Sequence, residues 1–137
     1  LTDAELYEGL NPQTVERWNK EVNEKYDPAL VAESNHRVRK MSKEQWNAVK
    51  AEGGQVTLRL AELYQSGATP ESAEAQAAIS LQRCWIEHFY TPSAEVFRGL
   101  GELYASHPEF RANYDKYAPG LADFLRDAVA YYAEQSM

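Results

Sequence analysis

A chain of 137 residues has the size of one domain and is long enough to bury a core. At 44% hydrophobic residues it is not disordered, and a net charge of −7 with a pI near 5.0 argues against this stretch gripping nucleic acid, whose affinity comes from neutralised phosphates. The single cysteine, Cys84, excludes an internal disulfide and fits a reducing, cytoplasmic compartment; no apolar run is long enough to span a membrane, and no signal peptide is read at the start.

Prolines and capping residues mark the elements. Thr2-Asp-Ala-Glu5 is a capping box and predicts a first helix over 2–9. Asn11-Pro12 and Asp27-Pro28 each pair a capping side chain with a ring that fits the first helical turn, where the missing N–H has no partner to lose. They predict helices over 12–26 and 28–40. A second box, Ser42-Lys-Glu-Gln45, opens a long helix over 42–66, closed by Gly67. Thr69-Pro70, Thr91-Pro92 and His107-Pro108 predict helices over 70–89, 92–106 and 108–117. Pro119-Gly120 is a turn before a last helix over 120–135.

Helical spacing supports the last four long segments. The stripes are Trp46, Val49, Val56, Leu60 and Leu63; then Ala78, Leu81, Trp85 and His88 or Phe89; then Val96, Leu100, Leu103, Tyr104 and His107; then Leu121, Phe124, Leu125, Ala128 and Tyr132. No alternating strand pattern is present, so the class is all-α. Residues 1–40 carry few apolar side chains and short, charged helices, which are marginal by themselves. One domain over 1–137 is expected, with a weaker section over 1–40 laid on a stable bundle over 42–137.

The glycines raise a question. Gly53-Gly54 inside the long helix reads as two tolerated, exposed glycines, or else as a kink or close approach. Gly99-Leu-Gly101 lies between aromatic rings, which implies either two touching elements or space for something other than protein.

The sequence offers little catalytic chemistry. Glu33-Ser-Asn-His36 is a lone Glu-x-x-His, and a di-iron bundle needs two. No zinc motif is present, and Gly99-Leu-Gly101 follows no strand, so it is not a phosphate loop. Cys84, mid-helix without an evident base, reads as a buried structural thiol rather than a nucleophile. Asp123 and Asp127 flank Arg126 and read as a solvated ion-paired face. No cofactor and no metal are expected, and the chain is not read as an enzyme. The basic run His36-Arg-Val-Arg-Lys40 with Lys43 is either a solvated helix end or a contact to an acidic partner. Nine tyrosines are many for such a bundle, because a buried hydroxyl needs a partner. Singly each suits a core; together they suit a wall for a large, partly apolar guest.

The ordered set Ser42-Lys-Glu-Gln-Trp46, Phe89-Tyr90-x-x-Ser93, Gly99-Leu-Gly-Glu-Leu-Tyr104, Pro108-Glu-Phe110, Tyr114-Asp115 and Pro119-Gly-Leu-Ala-Asp-Phe-Leu-Arg-Asp-Ala128 resembles the TipAS family, across essentially the whole chain. TipAS domains are the antibiotic-recognition domains of MerR-type transcription activators. The resemblance implies a globin-like helical bundle of about eight helices without heme. It implies a cleft for bulky multi-ring antibiotics, often thiopeptides, and N-terminal helices that fold over the guest. It also implies that DNA is contacted only through an upstream domain, absent from this chain, in a full-length homodimer. Short forms that only sequester the drug are a second possibility within the family, and a helical protein-interaction module without a small ligand is a third reading. Expected ligand contacts are Trp85, Phe89, Tyr90, Phe97, Gly99 and Tyr104 in the cleft, with Trp18 and Tyr26 from the lid. Family members that trap thiopeptides covalently carry cysteines where this chain has Pro92 and Gly99, so reversible binding is expected.

Overall fold

The computed structural model describes the backbone of residues 1–137 and every side chain except those of Asn23 and Lys25. The described residues form eight helices and no strand. They are α1 (Asp3–Leu6), α2 (Pro12–Lys25), α3 (Pro28–Arg39), α4 (Lys43–Gln65), α5 (Ala73–Ile86), α6 (Ala94–Ser106), α7 (Pro108–Asp115) and α8 (Leu121–Ser136).

Most helix ends are fixed by the groups the sequence offers. Thr2 and Glu5 complete their capping box, as do Ser42 and Gln45, whose reciprocal bonds measure 2.9 and 3.1 Å. Asn11, Asp27 and His107 each accept an N–H two residues on, with proline in the first turn. Gly67, at φ 91°, closes α4: its N–H reaches Tyr64 O and the Ala68 N–H reaches Leu63 O. These two bonds satisfy carbonyls that would otherwise be left over, and glycine alone takes that φ without strain.

Two expected starts move. Helix α5 begins at Ala73 and α6 at Ala94, not at Pro70 and Pro92, because Ser72 and Ser93 are the N-caps and accept from Ala75 and Val96. A serine oxygen that satisfies an end N–H decides the start over a proline a residue or two upstream.

The chain divides into two compact units. One comprises Leu1–Ala51 with His88–Tyr90; the other comprises Glu52–Glu87 and Thr91–Met137. The division falls within α4, later than Met41, and assigns His88–Tyr90, just beyond α5, to the N-terminal unit.

The second unit carries most of the buried side chains. Phe97, Leu60, Ile79, Leu121, Leu125 and Val129 are fully enclosed. The α4 and α8 stripes are those expected. The other two are rotated. On α5 the buried line is Ala75, Ala78, Ile79, Gln82 and Ile86, while Leu81 is 53% exposed. On α6 it is Phe97, Gly101, Tyr104 and Ala105. Gly101 is the pivot of that face: a Cβ there would stand 2.9 Å from Val129 Cγ1 of α8 and 3.4 Å from the Arg126 carbonyl. Gly99 faces open space, with nothing within 4 Å of its missing Cβ. Two touching elements therefore account for Gly101, and no packing constraint accounts for Gly99.

Gly53 is also a contact glycine, against the expectation of exposure. Its missing Cβ would lie 2.8 Å from the Trp85 ring, whereas Gly54 meets nothing. Gly120, at φ 92°, turns the chain into α8 with its Cα side against the Tyr64 hydroxyl. The first turn of α8 has no cap of its own, and Asp115 supplies one by accepting the Ala122 N–H at 3.0 Å.

Gly101→Ala is expected to lose about 1–3 kcal/mol, since the added methyl overpacks the α6–α8 contact. Gly99→Ala is expected to gain about 0.5–1 kcal/mol, the ordinary helix preference of alanine. Urea unfolding of the two variants side by side checks this; equal effects would mean that the contact is not tight.

Candidate functional site

The ring-bearing residues singled out by sequence separate into two groups. In the second unit, Phe97 is 1% exposed and meets Tyr132 edge-on at 5.7 Å between centroids. Tyr104 is buried among Phe110 and Tyr114 of α7, with ring centroids 6.3 and 5.0 Å away. Its hydroxyl accepts from Gln82 Nε2 at 3.2 Å, which explains how a glutamine is tolerated on the buried line of α5. Trp85 is half-buried over Gly53. Gly99 is on the exposed face of α6, and Pro92 is buried.

In the N-terminal unit the rings keep more of their surface. Trp18 is 38% exposed, and Tyr26, Phe89 and Tyr90 are half-buried. Phe89 meets Trp46 edge-on, with centroids 6.3 Å apart and planes at 88°. Sequence reading placed Trp46 on a core stripe and did not consider it as a site residue. A groove of about 520 Å³ lies along α1 and α2, with Tyr7, Leu10, Pro12 and Val15 as its apolar surface and Asp3 and Glu16 among its polar atoms. Apolar residues of this unit that are buried are few: Val15, Val38 and Val49.

Several charged residues pair with one another. Arg39 pairs with Asp3 at 3.1 Å and Lys43 with Glu8 at 2.9 Å, so acids of the first ten residues engage the one basic run. Arg37 pairs with Glu33 one turn away at 2.6 Å. The Arg37 hydrogen bond holds the Glu33 carboxyl below its usual range, and no group of acids, histidines and cysteines among the described residues could hold a metal ion. On the other unit, Arg111 grips Asp123 with two bonds of 2.9 Å and donates a third, of 2.8 Å, to the Ala105 carbonyl. That grip holds the Asp123 carboxyl low. Arg126 bridges Asp123 and Asp127. Cys84, expected to be buried, is exposed. The reason is the rotated α5 stripe, which turns Leu81 and Cys84 outward and Gln82 inward.

The described residues thus form an all-helical protein with partly exposed rings and no metal-binding cluster. The chain belongs to the TipAS antibiotic-recognition domain family, whose sequence profile matches residues 18–132. It is 31% identical over 139 residues to the HTH-type transcriptional activator mta of Bacillus subtilis, covering 98% of this chain and 53% of that protein. It is 29% identical over 131 residues to the HTH-type transcriptional activator TipA of Streptomyces lividans, covering 94% of this chain and 52% of that protein. The chain thus spans about half the length of the curated relatives it matches. Among solved structures it is similar to Streptomyces lividans TipAS in complex with nosiheptide, from a thiopeptide antibiotic multidrug resistance system. The TM-score is 0.79 at 27% identity, covering 98% of this chain and 96% of that one. No helix of the described residues is long and apolar enough to cross a membrane.

The Tyr104 network has a spectroscopic consequence. Burial pushes the Tyr114 hydroxyl up to about 12, against the smaller opposing effect of its bonds to Tyr104 and Gln82. A raised folded value means stability that is whole below the ordinary value of 10.0 and is lost as pH rises towards 12. Ultraviolet titration of the wild type and Tyr114→Phe is expected to differ by one late-ionising phenol. If the missing phenol instead titrates with the exposed ones, Tyr114 is solvated.

Proposed function

We propose that this chain is the effector-recognition domain of a MerR-type transcriptional activator, working in the cytoplasm, and that it binds a bulky multi-ring antibiotic reversibly without turning it over. Full-length, it would act as a homodimer that reaches DNA through a separate domain. The observation that carries the ligand reading is the TipAS family membership together with rings left partly uncovered in the N-terminal unit. Trp18, Tyr26, Phe89 and Tyr90 are the contacts we assign to the guest from that unit. Phe97 and Tyr104 have their rings in the second unit's packing and act as support for whatever Trp85 and its helix present.

The N-terminal section is proposed to order further on binding. Fixing a residue costs about 1–2 kcal/mol in backbone entropy, and buried Val15 and Val38 are few anchors to offset this over α1 to α3. Half-exposed rings that meet a guest supply the missing burial, so the guest shifts the population towards the ordered form. Exposed ion pairs such as Arg39–Asp3 add little by themselves, because water screens them.

Thermal unfolding with and without nosiheptide tests the binding, since a guest that binds the folded state alone must raise its stability. Amide exchange is expected to slow over residues 1–40 more than over α8 when the guest is added. Protection over 1–40 that already equals that of α8 in the empty protein would remove the lid.

Intact-mass measurement after incubation with nosiheptide is expected to show no adduct, because Pro92 and Gly99 offer no thiol. The exposed Cys84 makes this a fair trial: an adduct abolished by Cys84→Ser would show covalent capture from α5.

A further inference from the structure

Two buried polar side-chain atoms lack a hydrogen-bond partner among the described residues, Arg83 Nε and Trp46 Nε1. Arg83 is otherwise well served: its guanidinium bonds to the Tyr132 hydroxyl and lies near Glu87. Trp46 has no such alternative. An indole has one polar atom, a donor that cannot accept, so an unanswered N–H leaves the whole polar capacity of the side chain unused.

The ring itself is well held. Trp46 sits in the first turn of α4, just inside the Ser42–Gln45 capping box. Phe89 presents against it edge-on, and Lys50, one turn along, holds Nζ 5.8 Å from its centroid. An apolar position that needed only a ring would be filled by phenylalanine without burying a donor. A buried donor without an acceptor costs the desolvation of that group, which is why native structures rarely keep one.

We infer that the Trp46 indole N–H is a specificity-determining donor for the guest, and that it takes an acceptor such as an amide carbonyl or a heteroaromatic nitrogen carried beside a ring that engages Phe89. This rests on the ligand-binding reading above and adds to it a residue that neither the sequence nor the exposed-ring criterion selects. The chemistry fits a multi-ring peptide guest, whose amides supply acceptors next to flat surfaces. It also gives discrimination: a pocket with one unpaired donor rejects a guest that covers the donor without accepting from it. Because Nε1 is covered in the empty protein, a guest reaches it only by parting Trp46 from its cover, so the bond separates the bound arrangement from the empty one.

Benzothienylalanine at position 46 tests this in the full chain, because it keeps the bicyclic shape and replaces the N–H by sulfur. Trp46→Phe is the simpler companion. Two readouts are taken, the melting temperature of the empty protein and the affinity for nosiheptide by calorimetry. The expected result is an unchanged or higher melting temperature for the benzothienyl variant, since an unanswered donor has been removed, together with roughly tenfold weaker binding, the worth of one good hydrogen bond. A lower melting temperature would show that the donor already has a partner in the empty protein and would overturn the inference. So would unchanged affinity. If nosiheptide fails to bind the unsubstituted chain, the ligand reading fails by itself, and the melting comparison still decides whether the donor is unanswered.

Discussion

At Gly101, α6 lies on α8 so closely that the Val129 side chain fills the place a Cβ would take. That contact sets what the second unit can be. With the backbone of α6 against Val129, Phe97 on the previous turn reaches Tyr132, and Tyr104 on the next faces α7. Helix α7 is only eight residues long and has no buried residue of its own. Its place depends on Arg111, which ties it to the end of α6 and to Asp123 of α8 at once, and on Asp115, which caps α8. This short helix is therefore held by polar bonds to a pair of helices already locked by packing.

The N-terminal unit follows a different economy. Its helices are capped as well as those of the other unit, yet capping only removes end penalties and does not supply burial. Val15, Val38 and Val49 are small for the length of chain they anchor. Other connections include the Trp46–Phe89 ring contact and ion pairs at the surface, between acids of the first ten residues and the basic end of α3 and start of α4. Few buried apolar contacts are what the proposed ordering on a guest requires of this section.

Much of this was legible. All eight helices were expected, five of them from the residues that cap them, and the α4 and α8 stripes were read correctly because their buried residues are mostly large and apolar. Where reading failed, the cause was specific. The buried line of α6 contains a glycine and that of α5 a glutamine, and neither scores as apolar; the period therefore locked onto Val96–Leu100 and Leu81–Trp85, one position round the helix. On α6 this left the packing role of Gly101 unassigned while Gly99 was given to the cleft. The starts at Pro70 and Pro92 failed because a serine cap nearby outweighs a proline. The faces that the candidate ring residues take were not legible, and an unanswered indole nitrogen can be seen only once neighbours are placed.

The outward turn of α5 has a practical side. Cys84 is the chain's one thiol and it is exposed, so any disulfide it forms must join two molecules. A covalent dimer on a non-reducing gel would then report air oxidation of a purified sample and say nothing of native assembly. The same thiol gives a single attachment point for a maleimide dye, one residue from the indole of Trp85. A label placed there would lie within quenching range of that ring, and its brightness would register any movement of α5 past Gly53.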